Sequence, residues 1–432
     1  MSQQLHQIDL MEKIVSLCKR RGFIFQGSEI YGGLAGTWDF GPLGDLLKTN
    51  IENSWTHYFV TSRDNMYKIS TPILMHPSVW NASGHVNEFI DPLVDDLVTH
   101  KRYRADHLLS ENGIDAEQMT IEQMQEKISE LGLKSPEGNP ISEVRKFNLM
   151  LETKLGAVAD STITTYLRPE EAQSMFVNFK NILDCFSPKL PFGIAQIGKA
   201  FRNEITPKDF IYRVREFEIM EYEYFIHPET DWEPLFTDLL EEQKTWLDSI
   251  GIPREKLHEM EHPETARAHY SKKTTDLEFE YPFGIKELTG LSHRGDYDLT
   301  QHQKYSGVSM EIYDEETKQR YIPHVLEPTV SVDRTILALL CSAYDEDSIG
   351  GELRTVLRFK PSMAPIKACV SPLLKNRPEL SEKAREVYKL LKSEFGNVMY
   401  DDNGNVGKRY RRQDEIGTPW CIVVDFDTTG TG

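Results

Sequence analysis

No two of the five cysteines (Cys18, Cys185, Cys341, Cys369 and Cys421) are spaced as a CxxC pair, so neither a zinc cluster nor a disulfide framework is expected. No apolar run approaches a membrane span, and the opening MSQQLHQIDL lacks the charged-then-apolar pattern of an export signal. These absences lead to the expectation of a cytoplasmic protein without membrane contact. Positive charge is scarce too: 49 Lys and Arg face 68 Asp and Glu, a net of −19, which argues against a non-specific nucleic-acid binder. The deficit is uneven. Residues 351–432 carry 14 Lys and Arg against 11 Asp and Glu, a net of +3, so residues 1–350 hold −22. That asymmetry points to a C-terminal module with a different partner. A phosphate-cradling loop is also missing. The glycine-rich Gly27–Gly44 has no Gly-Lys-Ser/Thr ending and no strand-GxGxxG-helix unit around it, which leaves closely packed turns as its expected role.

What is present centres on residues 194–226, IAQIGKAFRNEITPKDFIYRVREFEIMEYEYFI. Two strand-like runs, Ile197–Ile205 and Ile211–Phe225, flank the turn-forming Thr206-Pro207-Lys208-Asp209 and predict an antiparallel hairpin. Alternation puts Arg202 and Glu204 on one face of the first strand. It also puts Arg213, Arg215, Phe217, Ile219, Glu221 and Glu223 on one face of the second. A face bearing guanidiniums, carboxylates and an aromatic ring suits an anionic ligand that carries a ring.

Elsewhere the pattern gives an amphipathic helix over Ile8–Arg21, with Leu10, Met11, Ile14, Leu17 and Cys18 on one side and Gly22 closing it. A helix over Leu46–Val60 and a strand through Tyr67–Leu74 follow. Residues 105–160 read as an insertion whose helix starts at a Thr120/Gln123 capping box and buries Ile121, Met124, Ile128 and Leu131. Residues 227–275 read as a second, helical insertion. Four histidines lie there (His227, His258, His262 and His269), but their spacing offers a single i,i+4 pair, so a solvated helix face is expected rather than a metal site. From residue 361, strands alternate with helices as in an α/β unit. Its run Lys408–Arg412, KRYRR, reads from composition alone as a charged helix face.

The arrangement Phe201-Arg202-x-Glu204, a loop, then Arg213-x-x-x-Phe217 resembles the second signature motif of class II aminoacyl-tRNA synthetases. The strings GSEIYGGL, TWDFGPLG, NASGHVNEFIDP, RPEEAQ, FRNEITP, MEYEYF, HVLEPTVSVDR and GKRYRRQDEIGTP are similar to one branch, the dimeric glycyl-tRNA synthetases. The resemblance implies an α+β catalytic domain on an antiparallel sheet over residues 1–350, interrupted near 105–160 and 227–275. It also implies an α/β anticodon-binding domain over 351–432, with a further strand and helix expected beyond the terminal TTGTG. The implied activity is glycine activation by ATP and transfer to tRNA(Gly), in a homodimer, with Mg²⁺ and no zinc. A class II enzyme for another amino acid, such as threonine, proline or histidine, is the first alternative. An inactive nucleic-acid-binding relative is the second.

Carried over by position, the resemblance implies ATP contacts from Arg202, Asn203, Glu204, Tyr212, Arg213, Val214, Arg215, Glu216 and Phe217, and from Glu287, Leu288, Ser331, Val332, Asp333 and Arg334. Arg202 would take the α-phosphate, Glu204 the adenine amine, Phe217 the ring, Arg213 and Arg334 the γ-phosphate, and Glu287 the Mg²⁺. Amino-acid contacts are implied for Arg104, Glu170, Phe217, Glu218, Ile219, Met220 and Glu221, and for Glu327, Pro328, Thr329, Val330 and Ser331. Lys408, Arg409, Arg411 and Arg412 would meet tRNA. Two positions depart from the family: Thr329 stands where Ser is usual, and Ser331 where Gly is usual. The second departure implies crowding, because glycine there permits close backbone approach.

Overall fold

The computed structural model describes residues 2–116, 119–156, 162–268, 270–315 and 317–430. Its centre is a seven-stranded sheet built from β1 (Met66–Lys68), β2 (Phe192–Phe201), β3 (Glu216–Ile226), β4 (Leu257–Glu261), β5 (Lys273–Tyr281), β6 (Gly284–Gly295) and β7 (His324–Ser331). The spatial order is β4-β5-β6-β7-β3-β2-β1, antiparallel except where β1 joins β2. The α+β expectation is met.

Strand alternation divides this sheet into two unlike faces. On the back, Met220, Tyr222, Tyr224 and Ile226 of β3 join Leu326 and Val330 of β7 in the main core. That core is completed by α1 (Ser2–Arg21), α2 (Pro42–Thr56), α3 (Trp232–Ile250) and α4 (Val332–Ala343). Leu47, Ile51 and Trp55 of α2 recur every fourth residue, so all three point the same way and are buried. Helix α4 is apolar on nearly every side and buried accordingly. Each fully buried Leu or Ile there contributes about 1.5–3 kcal/mol. On the front, one end is apolar: Ile194, Phe225 and Val325 pack under the helices Ala172–Phe176 and Phe179–Phe186. The rest of the front face is polar and holds the site.

Several expectations are corrected. The hairpin strands run 192–201 and 216–226, with Phe201 opposite Glu216, so Arg202, Glu204, Arg213 and Arg215 all lie on the connecting loop and not on a strand face. The loop is shaped by left-handed backbone at Asp209 and Phe210, and Arg202 N donates to Arg215 O (2.9 Å) at its base. The glycine-rich stretch packs against it. Arg215 N donates to Gly36 O (2.7 Å), and a Cβ on Gly36 (φ 75°) would lie 2.7 Å from Pro207 Cγ. The expected strand Tyr67–Leu74 shrinks to Met66–Lys68 plus a single bridge from Leu74 to Leu167.

The second insertion is not helical throughout. Helix α3 supplies Phe236, Trp246, Leu247 and Ile250 to the main core, and the stretch carrying His258 is the edge strand β4. There the period-2 pattern wins over an i,i+4 reading. His258 meets Glu280 (2.9 Å) and His262 meets Asp276 (2.8 Å), while His269 falls outside the described residues. In the first insertion the Thr120/Gln123 capping box forms, although Leu131 is exposed. This unit starts earlier than expected, because Arg145–Asn148 pairs with Ile90–Asp95.

The C-terminal unit is a parallel sheet of β8 (Ala368–Pro372), β9 (Val398–Tyr400) and β10 (Trp420–Val424), in the order β9-β8-β10. Helices α5 (Pro378–Phe395) and α6 (Val406–Asp414) accompany it. A division at residue 350 cuts through the main core, since Leu357, Phe359, Met363, Ala364 and Ile366 all belong to it, as does Ile416. A chain ending at residue 366 is therefore expected to melt cooperatively, and one ending at 350 to lose its cooperative transition. Removing one buried Phe alone costs about 3–5 kcal/mol. Circular dichroism melts of the two truncations check this.

Candidate active site

Loop 202–215, the start of β6 and the junction of β7 with α4 enclose a crevice of about 620 Å³ on the front of the sheet, open solvent at its mouth included. Arg202, Glu204, Arg213, Phe217, Glu287, Ser331 and Arg334 are among its lining residues. The Arg202 guanidinium sits 5.3 Å from the ring centres of both Phe89 and Phe217, and its Nε donates to Pro169 O (3.2 Å). Such flanking fixes a charged side chain without neutralising it. Arg213 lines the crevice with no ion pair among the described residues. Arg334, in the first turn of α4, lies over the Tyr212 ring (4.5 Å) and pairs through Nη1 with Glu287 Oε2 (2.8 Å). Burial pushes the Glu287 carboxyl up, but Arg334 and Arg202 outweigh it and hold the group below its ordinary value. A helix N-terminus adds its own pull on anions.

Ser331 is the N-cap of α4. Its Oγ accepts from Arg334 N (3.3 Å) and its φ is −76°, so the position needs no glycine. The backbone at Ser331 is therefore unstrained, and the serine orders the turn that presents Arg334.

Along the same strands the chemistry changes sign. Ile219 faces Ser331 across β3 and β7, and Glu221 faces Thr329, whose hydroxyl donates to Glu221 Oε1 (2.5 Å). Threonine thus keeps the hydroxyl of the usual serine. Glu170 is buried beside them, reached by His85 Nε2 (3.2 Å), Gln173 Nε2 (2.9 Å) and, at 3.9 Å, Arg294 Nη2. Burial favours its neutral form, yet His85 and Arg294 hold it well below the usual carboxylate range. Burial and the neighbouring Glu170 push Glu221 up to about 7. Arg294, 1% exposed, makes two bonds to Asp298 (2.8 and 2.9 Å) and one to Glu327 (2.6 Å), under the Tyr270 ring at 3.8 Å.

The structure brings together Arg202, Glu204, Tyr212, Arg213, Val214, Phe217, Ile219, Glu287, Leu288, Thr329, Ser331, Asp333 and Arg334. It turns others away. Met220, Val330 and Val332 are in the back core, Glu216 pairs with Lys199, and Glu218 pairs with Lys48 (2.9 Å). Arg215 clamps the loop by donating to Ala35 O (2.6 Å) and Glu204 O (3.1 Å). Asn203 contributes a backbone bond to Leu149 O (2.7 Å). Arg104 is held by Asp91 (2.7 Å) and Asp106 (2.6 Å).

The basic run on α6 is also not one solvated face. Arg409 is buried on the carbonyls of Pro372, Asp402 and Gly404, Arg412 is forked on Asp401, and Arg411 meets Glu352. Lys408 alone of the four has neither a side-chain hydrogen bond nor an ion pair among the described residues.

Sequence reasoning missed His85, Gln173, Asp298, His302 and the role of Arg294. Ser83 Oγ lies 2.7 Å from His85 Nδ1, and Gln173 bridges Glu170, Asp298 and His302. The signal was the polar block Asn81–Pro92, whose function shows only once the chain brings it against Glu170.

Residues 158–343 match the family model "tRNA synthetase class II core domain (G, H, P, S and T)", and residues 367–432 match "Anticodon binding domain". A glycine–tRNA ligase of Chlorobaculum tepidum is 48% identical, spanning 98% of this chain and 94% of the relative. One of Lachnospira eligens is 49% identical over 98% and 93%, and one of Staphylococcus aureus 46% over 97% and 92%. A Giardia lamblia prolyl-tRNA synthetase in complex with prolyl-adenylate has the same fold, with a TM-score of 0.66 at 14% identity. That alignment covers 98% of this chain and 69% of the Giardia chain.

Because Arg294 is the cation that compensates Asp298 and Glu327, Arg294→Met is expected to lower stability by about 3–5 kcal/mol, the cost of breaking a buried ion pair from one side. Arg294→Lys should recover little, since an ammonium cannot reproduce the fork. Urea melts measure both.

Proposed function

This chain belongs to the glycine–tRNA ligases, a class II synthetase family, and from that premise we propose that the front-face crevice is where it activates glycine. The protein is an aminoacyl-tRNA ligase that charges tRNA with glycine at the expense of ATP. One observation carries the assignment of the site. A cationic, aromatic pocket and a cluster of buried carboxylates lie side by side on one sheet face, separated by two residues of strand.

In this reading the nucleotide occupies the cationic end. Phe217 stacks on adenine, Glu204 accepts from its amine, Arg202 meets the α-phosphate, and Arg213 and Arg334 meet the γ-phosphate. Glu287, a half-exposed carboxylate at the crevice, would hold Mg²⁺, which would supply further charge neutralisation for the phosphates. Glycine occupies the acidic end, its ammonium facing Glu170, Glu221 and Glu327. To meet the glycine carboxylate, Arg104 would have to leave Asp91 and Asp106.

The glycine carboxylate attacks the α-phosphorus, a C–O–P bond forms, and the bond to the β-phosphate oxygen breaks to release pyrophosphate. The nucleophile is already ionised at neutral pH, so no general base is needed. The residues' work is alignment and stabilisation of charge on the phosphates. A terminal ribose hydroxyl of tRNA then attacks the activated carbonyl and releases AMP. Residues 367–432, with Lys408 outermost on the basic run, would receive the tRNA. Pairing of two copies of the chain, and residence in the cytoplasm, complete the proposal.

Glycine alone, from a panel of amino acids, is expected to support ATP–pyrophosphate exchange; equal exchange with alanine or serine would overturn the assignment. Arg202→Ala should slow adenylate formation by about two to three orders of magnitude, matching the roughly 2.7–4 kcal/mol of a donor aimed at developing charge. Its melting temperature should stay near that of the parent, because the side chain faces the crevice. Single-turnover kinetics and a thermal melt test both halves of that statement.

A further inference from the structure

One buried side chain on the front face has no part in the reading above. Glu223 follows Glu221 by two residues on β3, is 0% exposed, and neither of its carboxylate oxygens has a hydrogen-bond partner among the described residues. One carboxylate oxygen each from Glu221, Glu223 and Glu327 lies within 4.8 Å of the others. The surrounding elements offer little to balance them. On β2, Ile194 stands opposite Glu223 and the uncharged Gln196 opposite Glu221. Strand β7 brings Glu327, the helix Tyr297–Ser306 brings Asp298, and the turn before Ala172–Phe176 brings Glu170. Strand β6 brings the guanidinium of Arg294, which bonds Asp298 and Glu327, and the turn after Tyr166 brings Arg168, which pairs with Glu171.

Carboxylates this close cannot all ionise in a buried space around one arginine, and an ionised group with no donor carries the heaviest cost. Glu221 and Glu327 each have a donor, from Thr329 and Arg294. Glu223 has none. We infer that Glu223 is a positioning residue of the glycine site: a neutral carboxylic acid, it donates its O–H to Glu327 and so fixes that group as the ionised acceptor for the substrate ammonium. Burial pushes the carboxyls of Glu223 and Glu327 both well above the ordinary range, and Arg294, which bonds Glu327 and not Glu223, is what leaves the proton on Glu223. Glu221 Oε2, buried and unpartnered, is left as the second acceptor. The ammonium then meets two carboxylates held in place instead of three that repel one another.

The inference rests on the acidic end being the glycine site, and two measurements separate the claims. In infrared difference spectra at neutral pH, the wild-type protein minus Glu223→Gln should show the carbonyl stretch of a protonated carboxyl. Glu223→Leu should raise the KM for glycine by about tenfold or more, with the KM for ATP within about twofold. Glu223→Gln, which keeps a donor in the same place, should recover most of that loss. Absence of the band means an ionised Glu223, or a cation held by the trio, and overturns the inference. So does a Gln variant as impaired as the Leu variant, or a Leu variant with unchanged KM. If Glu223→Leu does not fold, the band and the Gln kinetics still decide. If the wild-type protein shows no glycine-dependent exchange, the site assignment fails, while the band still reports whether Glu223 carries the proton.

Discussion

The fan of hydrogen bonds around the buried Arg294 guanidinium is the interaction on which the acidic half of the site depends. It ties β6 to β7 through Glu327 and to the helix Tyr297–Ser306 through Asp298, and it reaches towards Glu170. Isolated, such an ion would cost several kcal/mol to bury. Here each guanidinium nitrogen bonds a carboxylate, with the Tyr270 ring against the group. Surrounding carboxylates outnumber it, so the pocket keeps an excess of negative charge. In the proposed site, a small substrate whose main handle is an ammonium group would offset part of that excess. The rigid surround of that proposed site would exclude bulkier amino acids, since a close-packed wall refuses a methyl more strongly than a roomy pocket rewards one.

At the other end of the same strands the balance reverses. Arg202, Arg213 and Arg334 converge on one crevice, and the devices holding them differ: two aromatic rings for Arg202, a loop clamped by Arg215 for Arg213, and a capped helix start for Arg334. Preorganised cations pay their ordering cost during folding, leaving less to reorganise when phosphate charge develops.

Much of this was legible in the sequence because period 2 and short motifs are local signals. The capping box at Thr120, the C′ glycine at Gly22 and the facing of Phe217, Ile219 and Glu221 all follow from neighbouring residues. Contiguous ranges were misleading for the same reason: Glu216, Glu218 and Met220 sit between crevice residues on a strand, so alternation turns them away. The strand at His258 was read as helix because two histidines four apart fit a helical face, although L-H-E-M-E also alternates. His85 and Gln173 could not be found locally, as each acquires its partners from segments distant in the chain. The arginines of α6 were misjudged because composition reports charge and not whether a carbonyl or carboxylate has already claimed it.

The seat of the C-terminal unit has a consequence for how such proteins can be rebuilt. Ile416 inserts into the main core, Gly417 lies so close to Phe359 that a Cβ there would overlap the ring, and Arg354 reaches Asp414 (2.9 Å) across the same junction. The unit is therefore keyed to its body and not merely strung after it. Swapping in a homologous unit would require a matching apolar plug and a residue without a side chain behind it. Grafts that respect only the linker sequence would leave a hole in the catalytic core.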